Sequence, residues 1–438
     1  MDPIVANIIT ITFLLALILL GVHVGVALCV ASIAGIWFSL GDINLGLNIL
    51  HTTSFQAIRE YVFGVIPLFV LMGLFANISG VSQEIYDSFN VFLRRVRGGL
   101  GIATVGANAI FATITGVSVA SAAVFSKVAL EPMTKHKYSK KFALGTIAGS
   151  SVLGMLIPPS LLLIIYGMLA EVSIGKLFMA GIIPGIVLAL VYSVGIYLMA
   201  LAKPELVGHQ KPDKSKWTKR DVKILFKPWG LVLLMVLILG GMYAGFFTPT
   251  EAGAVGAFGA FLLAFAKKQI TKSSLWNTLI ETGYTSASVL FLLIAAQMYS
   301  RMLAMSGILN SLQNFINNLS LSPYLVLIVF IIILIILGMV LDSTSILLIT
   351  MPLMLPVVTA FGFDLIWFGI ISVIVIEMGL LTPPFGMVVY SMKSALGDKA
   401  SIEDIFRGSF PFLVMMVVAL VIIIMFPSLS LWLPNLGG

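Results

Sequence analysis

The sequence predicts an all-α polytopic membrane protein built as two inverted-topology repeats, each with a re-entrant hairpin and a broken helix. Three observations carry this. Of the 438 residues, 60% are hydrophobic and only 10% are charged, against roughly a quarter charged in soluble domains. The pattern G-x-x-x-P-P occurs twice inside apolar stretches, as GMLIPPS at 154–160 and GLLTPPF at 379–385. Lys and Arg cluster in a few loops, in an order that gives the two halves opposite orientations.

Runs such as IITITFLLALILLG and LVLIVFIIILIILGMVL lie in longer apolar stretches that approach or exceed the roughly 20 residues that cross a bilayer as a helix. The first run is preceded only by Asp2, without a basic region, and reads as a retained helix rather than a cleaved signal. Cys29 is the single cysteine and reveals nothing about redox compartment. The net charge of +7 reflects basic loops, not a nucleic-acid surface. No GxxxxGK[ST] stretch is present, so nothing resembles a nucleotide-phosphate loop.

Taken in order, residues 1–98 form a first scaffold half, with apolar segments near 4–21, 23–40 and 61–80 and an amphipathic stretch at 82–98. Residues 99–201 form a first transport half, with a hairpin over 100–131, a broken helix over 142–170 and a span over 175–201. The linker 202–228 carries Lys203, Lys211, Lys214, Lys216, Lys219, Arg220, Lys223 and Lys227 and is placed in the cytoplasm. Residues 229–322 repeat the scaffold with segments near 229–247, 251–266 and 275–296 and an amphipathic stretch at 302–318. Residues 323–426 repeat the transport half, with a hairpin over 323–361, a broken helix over 365–395 and a span over 408–426. A periplasmic tail, 427–438, completes the scheme.

Loop charges set the directions. Arg94, Arg95 and Arg97, the set Lys135 to Lys141, and Lys267-Lys268 read as inside; 41–44, 247–251 and 319–323 lack Lys and Arg and read as outside. The first hairpin then starts and ends inside and the second starts and ends outside. Arg301 and His23 are exceptions to this scheme. The halves also match in sequence: Gly154–Pro159 with Gly379–Pro384 at an offset of 225, and Ser173-Ile174 with Ser401-Ile402 at an offset of 228. Inverted repeats with interrupted helices are a mark of secondary transporters that bind near the bilayer midplane.

The double prolines explain the interruptions. Proline lacks an N–H and clashes with the preceding turn. In lipid, each carbonyl so freed costs several kcal/mol, roughly, unless protein, water or an ion meets it. Ser150, Ser151, Gly154 and Ser160 surround the first break; Gly379, Thr382 and Gly386 surround the second. Freed carbonyls and hydroxyls are hard oxygen ligands suited to Na+, and each restarting helix offers N–H groups to a carboxylate. The hairpin tips, TGVSVASAA at 115–123 and LDSTS at 341–345, form the facing wall.

Each polar candidate has a plainer alternative. Asp342 is an intramembrane acid or a cap on the helix that follows. Glu377 binds a proton or ion, or pairs structurally. Glu251, after FFTPT, is an N-terminal helix residue. The serines of 115–123 ligate an ion or allow close helix packing. Arg59 and Glu60 read as an interfacial pair.

Four of these stretches, GMLIPPS, TGVSVASAAVFSKV, GMVLDSTSILLITMPLMLP and GLLTPPFG, resemble the large membrane (M) subunit of tripartite ATP-independent periplasmic (TRAP) transporters, within the ion-transporter superfamily. The likeness covers essentially the whole chain. It implies sodium-driven uptake of an organic acid anion (sialic acid, a C4-dicarboxylate or similar), delivered by a soluble periplasmic substrate-binding protein. It implies an elevator motion of hairpins and broken helices against the scaffold, a separate small four-helix membrane subunit, the bacterial inner membrane, and Na+ without ATP. Carried over by motif, the sodium sites fall on Gly116, Ser118, Ser121, Ser150, Ser151 and Gly154, and on Asp342, Ser343, Thr344, Gly379 and Thr382. Substrate falls on Pro159, Ser160, Ser345, Pro384 and Gly386. The turn GVHVG at 21–25 lacks the proline expected there.

The resemblance gives the amphipathic stretches a place as surface links between scaffold and moving block. The alternative function is a stand-alone dicarboxylate–sodium symporter of the same superfamily. A channel would need a continuous polar path, and the sequence offers only paired local breaks. An enzyme would need a metal-type His cluster or a nucleophile–base pair, and neither is visible.

Overall fold

The computed structural model describes residues 3–208, 215, 217–308 and 322–436, and among these every regular element is helical. The helices are α1 (Pro3–Leu19), α2 (Val24–Leu40), α3 (Ile43–Arg59), α4 (Val65–Ile78), α5 (Val81–Leu93), α6 (Gly99–Thr115), α7 (Ser118–Val128), α8 (Leu130–Lys135), α9 (Lys140–Ser151), α10 (Leu153–Leu156), α11 (Leu161–Leu169) and α12 (Ile174–Ala202). After the linker come α13 (Lys219–Leu225), α14 (Trp229–Tyr243), α15 (Pro249–Ala266), α16 (Lys272–Met305), α17 (Pro323–Gly338), α18 (Ser343–Ala360), α19 (Leu365–Gly379), α20 (Met387–Leu396), α21 (Ile402–Met425) and α22 (Ser428–Leu436). Seven helices among the described residues are long and apolar enough to cross a membrane. Most of the other apolar helices are short because hairpin tips or proline pairs interrupt them.

Local chemistry sets the ends. Thr248 and Glu251 close a capping box around Pro249, so Glu251 is the N-terminal helix residue expected of it. His23 Nδ1 accepts from Gly25 N at 3.3 Å and caps α2. That places a histidine at a turn where loop charge gave it no reason.

The contacts are reciprocal between halves. Helix α2 packs on α16, and α15 on α4; α6 on α9, and α17 on α19; α9 on α21, and α19 on α12; α7 on α20, and α18 on α11. Exchanging equivalent elements of the two halves turns each pair into the other.

Three segments differ from expectation. Residues 43–59, left between spans, form α3, which packs on α2 and α16. Its polar residues hide it from a search for continuous apolar runs. The expected tail contains α22, whose Ser430 and Pro434 are buried where it meets α12 and α19. The stretch 302–318 begins as the last turn of the 34-residue α16; its remainder from residue 309, like Lys211, Lys214 and Lys216 of the linker, lies outside the described residues.

The first amphipathic helix, α5, is tied down at both ends. Arg94 Nη2 meets Asp221 Oδ2 of α13 at 3.1 Å. Arg95 Nη2 donates to Ser215 O at 2.9 Å and its guanidinium lies 5.9 Å from the Trp217 ring. Lys267 pairs with Glu84. These arginines are linker contacts as well as basic loop residues.

Candidate ion and substrate site

The first hairpin turns at Gly116, whose φ of +60° suits a residue without Cβ. A Cβ there would stand 3.2 Å from Pro159 O and 3.3 Å from Leu161 N. The tip therefore rests directly on the first break, and Leu161 N donates to Gly116 O at 3.4 Å. The broken helix bends by 42° between 140–156 and 161–169. Pro158, Pro159 and Ser160 are buried there, with Phe69 and Val70 of helix α4 beside them.

Behind the tip runs a polar chain. Ser121 Oγ donates to Asn108 Oδ1, and Asn108 Nδ2 donates to Ser150 Oγ at 2.8 Å. All three side chains are fully buried. One amide thus joins both arms of the hairpin to the helix before the break. Asn108 is the functional candidate that motif reading missed. The signal was an Asn in the apolar run GLGIATVGANAIFATIT, two turns from the tip. Ser151 hydrogen-bonds within its own helix to Ala148 O at 2.8 Å. Gly154 is buried in the single turn α10. Ser160 bridges the break, donating to Met155 O and accepting from Leu163 N at 3.2 Å, which makes it the N-cap of α11.

The second hairpin turns before Asp342, which caps α18. Its Oδ1 accepts from Ser345 N at 3.1 Å and its Oδ2 from the Ser345 hydroxyl. Asp342 and Ser345 therefore share one local motif, while Thr344 is half-buried beside them. Ser343 leaves that motif and donates to Glu377 Oε1 at 3.0 Å. The tip is thereby joined to α19, the helix before the second break. Thr382 Oγ1 donates to Met378 O at 2.8 Å.

The two breaks differ in exposure. Pro158 and Pro159 are buried, whereas Pro383, Pro384 and Phe385 are exposed and only Gly386 is buried behind them. Gly386 has φ +54°, and a Cβ there would meet the Phe406 ring at 2.8 Å.

Cross-links join the halves. Ser391 Oγ on α20 donates to Val119 O on α7 at 3.0 Å. Tyr166 hydroxyl on α11 donates to Leu365 O at the start of α19 at 2.6 Å. Two hairpins and two broken helices thus form one connected block. Among the described residues no group of three or more His, Cys, Asp or Glu is placed to hold a metal. The oxygen-bearing groups gathered here are carbonyls, hydroxyls, one amide and single carboxylates.

A cavity of ≈ 790 Å³ lies between residues 167–174 and helices α3, α4, α15 and α16. It lies beside the α11–α12 turn, away from the breaks, and Glu60, Glu171 and Arg301 are among its walls. Arg301 Nη2 donates to Gln56 Oε1, and Arg59 lies 5.6 Å from the Phe55 ring centroid. Arg301 is thus a cavity residue, which accounts for a cation that loop charge left out of place.

Residues 11–429 match the model of the family described as tripartite ATP-independent periplasmic transporter, DctM component. The chain is similar to the C4-dicarboxylate TRAP transporter large permease protein DctM of Pseudomonas aeruginosa, 36% identical over 88% of each chain. It is 33% identical to the 2,3-diketo-L-gulonate TRAP transporter large permease protein YiaN of Escherichia coli, over 90% of each. It is 29% identical to the sialic acid TRAP transporter permease protein SiaT of Haemophilus influenzae, over 96% of this chain and 67% of that one. Among solved structures, the Alcanivorax borkumensis YdaH transporter matches with a TM-score of 0.59 at 14% identity, covering 88% of each chain. Neisseria gonorrhoeae MtrF also matches at 0.59 and 14%, covering 89% of this chain and 84% of that one. Those two likenesses are of fold.

Proposed function

The chain belongs to the TRAP transporter DctM-component family, and from that premise we propose that it imports an organic acid anion by sodium-coupled secondary transport. The anion is a C4-dicarboxylate, sialic acid or a similar carboxylate, handed over by a soluble periplasmic binding protein. A small four-helix membrane subunit works beside it, in the bacterial inner membrane. Na+ drives uptake and ATP is not consumed.

One observation carries this reading: the Gly116 tip lies against the Pro159–Leu161 break, with Ser121, Asn108 and Ser150 linked behind it. That arrangement gathers backbone and hydroxyl oxygens in the interior, where lone polar groups are costly unless a ligand meets them. The second tip and break are gathered by Ser343 and Glu377 in the same way.

The reciprocal contacts between equivalent elements support an inverted duplication. The cross-linked block, and the cavity between it and the scaffold, support an elevator in which the block slides as a unit. The exposed second break, Pro383 to Phe385, gives substrate an opening in this conformation. Carboxylate then binds at Pro159, Ser160, Ser345, Pro384 and Gly386. Na+ binds at Gly116, Ser118, Ser121, Ser150, Ser151 and Gly154 in one half. In the other it binds at Asp342, Ser343, Thr344, Gly379 and Thr382.

The test is uptake into proteoliposomes holding this chain and its small partner. Labelled succinate and sialic acid are supplied with and without a cognate binding protein, in Na+ or choline. Uptake that needs both Na+ and the binding protein is expected. Equal uptake in choline would end the sodium assignment, and equal uptake without binding protein would move the chain to the stand-alone symporters.

A further inference from the structure

At membrane depth, backbone outside a helix survives only inside protein or against a water-filled cavity. The first break meets the first condition, since Pro158 to Ser160 are buried. The second does not: Pro383, Pro384 and Phe385 are exposed. Helix α20 restarts the chain after this break and is 10 residues long, so it spans about 15 Å. It ends beside Lys393 and Lys399, on the inner side by loop charge. The opening at the second break is therefore aqueous and lies one short helix from the cytoplasm.

An exposed face continues from that opening. On α20, Met387, Tyr390 and Ser394 are exposed and, at spacings of three and four, share one side of the helix. On α7, Ala120 and Lys127 are exposed and share a side in the same way. The two helices pack together, and Ser391 Oγ donates to Val119 O at 3.0 Å. Both run from the membrane interior to the inner face, so they are parallel. In parallel right-handed helices, the residue before a contact on one and the residue after it on the other turn to the same side. Tyr390 and Ala120 thus flank one groove, and Ser394 and Lys127 continue its walls toward the cytoplasm. The Phe385 and Tyr390 rings, with centroids 6.5 Å apart, join the groove to the break.

Lys127 stands at the inner end of this groove. Among the described residues it forms no ion pair. Glu131, one turn further on, pairs with Lys135 at 2.7 Å, and Asp398 lies 3.9 Å from Lys393. Loop charge alone accounts for a lysine at the inner face. An unpaired ammonium at the end of an aqueous groove also has an anion to meet.

We propose that the groove between α7 and α20 is the exit by which the transported organic acid anion passes from the second break to the cytoplasm, and that the Lys127 ammonium receives its carboxylate at the mouth. The assignment deepens the importer reading above and rests on it. Exposed ion pairs gain little, so the anion is held weakly there. Weak binding suits an exit, where the ligand has to leave.

The experiment uses the full chain with its small subunit in inside-out membrane vesicles, in a Cys29→Ser background. Ala120→Cys, Tyr390→Cys and Ser394→Cys are treated from the cytoplasmic side with anionic sulfonatoethyl methanethiosulfonate or its cationic trimethylammonium analogue. All three are expected to react, with the anionic reagent favoured, and Lys127→Gln is expected to reduce that preference about two- to fivefold. Cysteines that react only after unfolding in detergent would show that the face meets lipid or protein and would overturn the proposal. In proteoliposomes, Lys127→Gln is expected to lower the maximal uptake rate about two- to fivefold at unchanged Na+ dependence, with Lys127→Arg restoring it. Lys140→Gln, which removes another exposed inner-face charge, is expected to transport like wild type. A Lys127→Gln protein with the wild-type rate and the wild-type reagent preference would overturn the role of Lys127. A wild-type protein that moves no organic acid would bring down the importer reading itself, a result distinct from the labelling pattern.

Discussion

Gly379 lies against Gly338 so closely that a Cβ built on either would come within 2.6 to 2.7 Å of the other's Cα. The contact joins the end of the second hairpin's first arm to the last turn of α19, immediately before the second break. Overpacking at such a point typically costs about 1–3 kcal/mol. Gly338→Ala and Gly379→Ala are each expected to lower the melting temperature by several degrees, and by similar amounts. Scanning fluorimetry in detergent checks this. A Gly379→Ala protein as stable as wild type would show that the glycine is not needed for packing.

Asn108 holds three helices through one amide. Asn108→Leu, of similar size, leaves the Ser121 hydroxyl without its partner and removes the amide donor to Ser150, which keeps its bond to Ile147 O at 3.3 Å. An unsatisfied buried group costs about 1–3 kcal/mol, and here the loss falls on candidate Na+ ligands. The half-saturating Na+ concentration for uptake is expected to rise about tenfold. Thr146→Val is the comparison, because Thr146 is buried on α9, the helix of Ser150, and among the described residues its hydroxyl bonds only to Phe142 O. Its Na+ dependence is expected to stay at the wild-type value.

The breaks and tips were legible because proline pairs and Gly-Ser-Ala clusters in apolar runs have few physical explanations. The residues that tie them together were not. Asn108, Tyr166 and Ser391 each act across 42 or more positions in the sequence, and no local pattern announces a partner that far away. Arg301 and His23 broke the loop-charge scheme because their roles are local, in a cavity wall and a helix cap. Helix α3 was missed for a different reason: Asn44, Asn48, His51 and Thr52 on its exposed side break up the apolar run, while Gly46, Ile49 and Thr53 are buried.

The halves are joined by Tyr166 to Leu365 O and by Ser391 to Val119 O. If the block moves as one body, these bonds persist through transport. Tyr166→Phe and Ser391→Ala are expected to cost about 0.5–1.5 kcal/mol each, with nearly additive effects because they join different element pairs. Denaturant or thermal unfolding of the single and double variants measures this. Cysteines at positions 391 and 119, joined by a short cross-linker, are expected to leave uptake intact. Loss of uptake on cross-linking would mean that α20 and α7 move apart during the cycle, and the single-block description would fail.

Asp342 has one observed role and one proposed role, and one substitution separates them. Its carboxylate caps α18 through Ser345, and it is a candidate Na+ ligand by motif. Asparagine is about as good an N-cap as aspartate, so Asp342→Asn retains the helix start and removes the charge. Alanine removes both, at a cost of about 1 kcal/mol in stability. If the charge serves the ion, Asp342→Asn folds like wild type yet shows a Na+ half-saturation at least about tenfold higher, since bonds to charged groups are worth about 1.5–3 kcal/mol. If capping is its only role, Asp342→Asn transports with unchanged Na+ dependence, and only Asp342→Ala is impaired. The expected result is the first, read from Na+ titrations of uptake alongside melting temperatures for both variants.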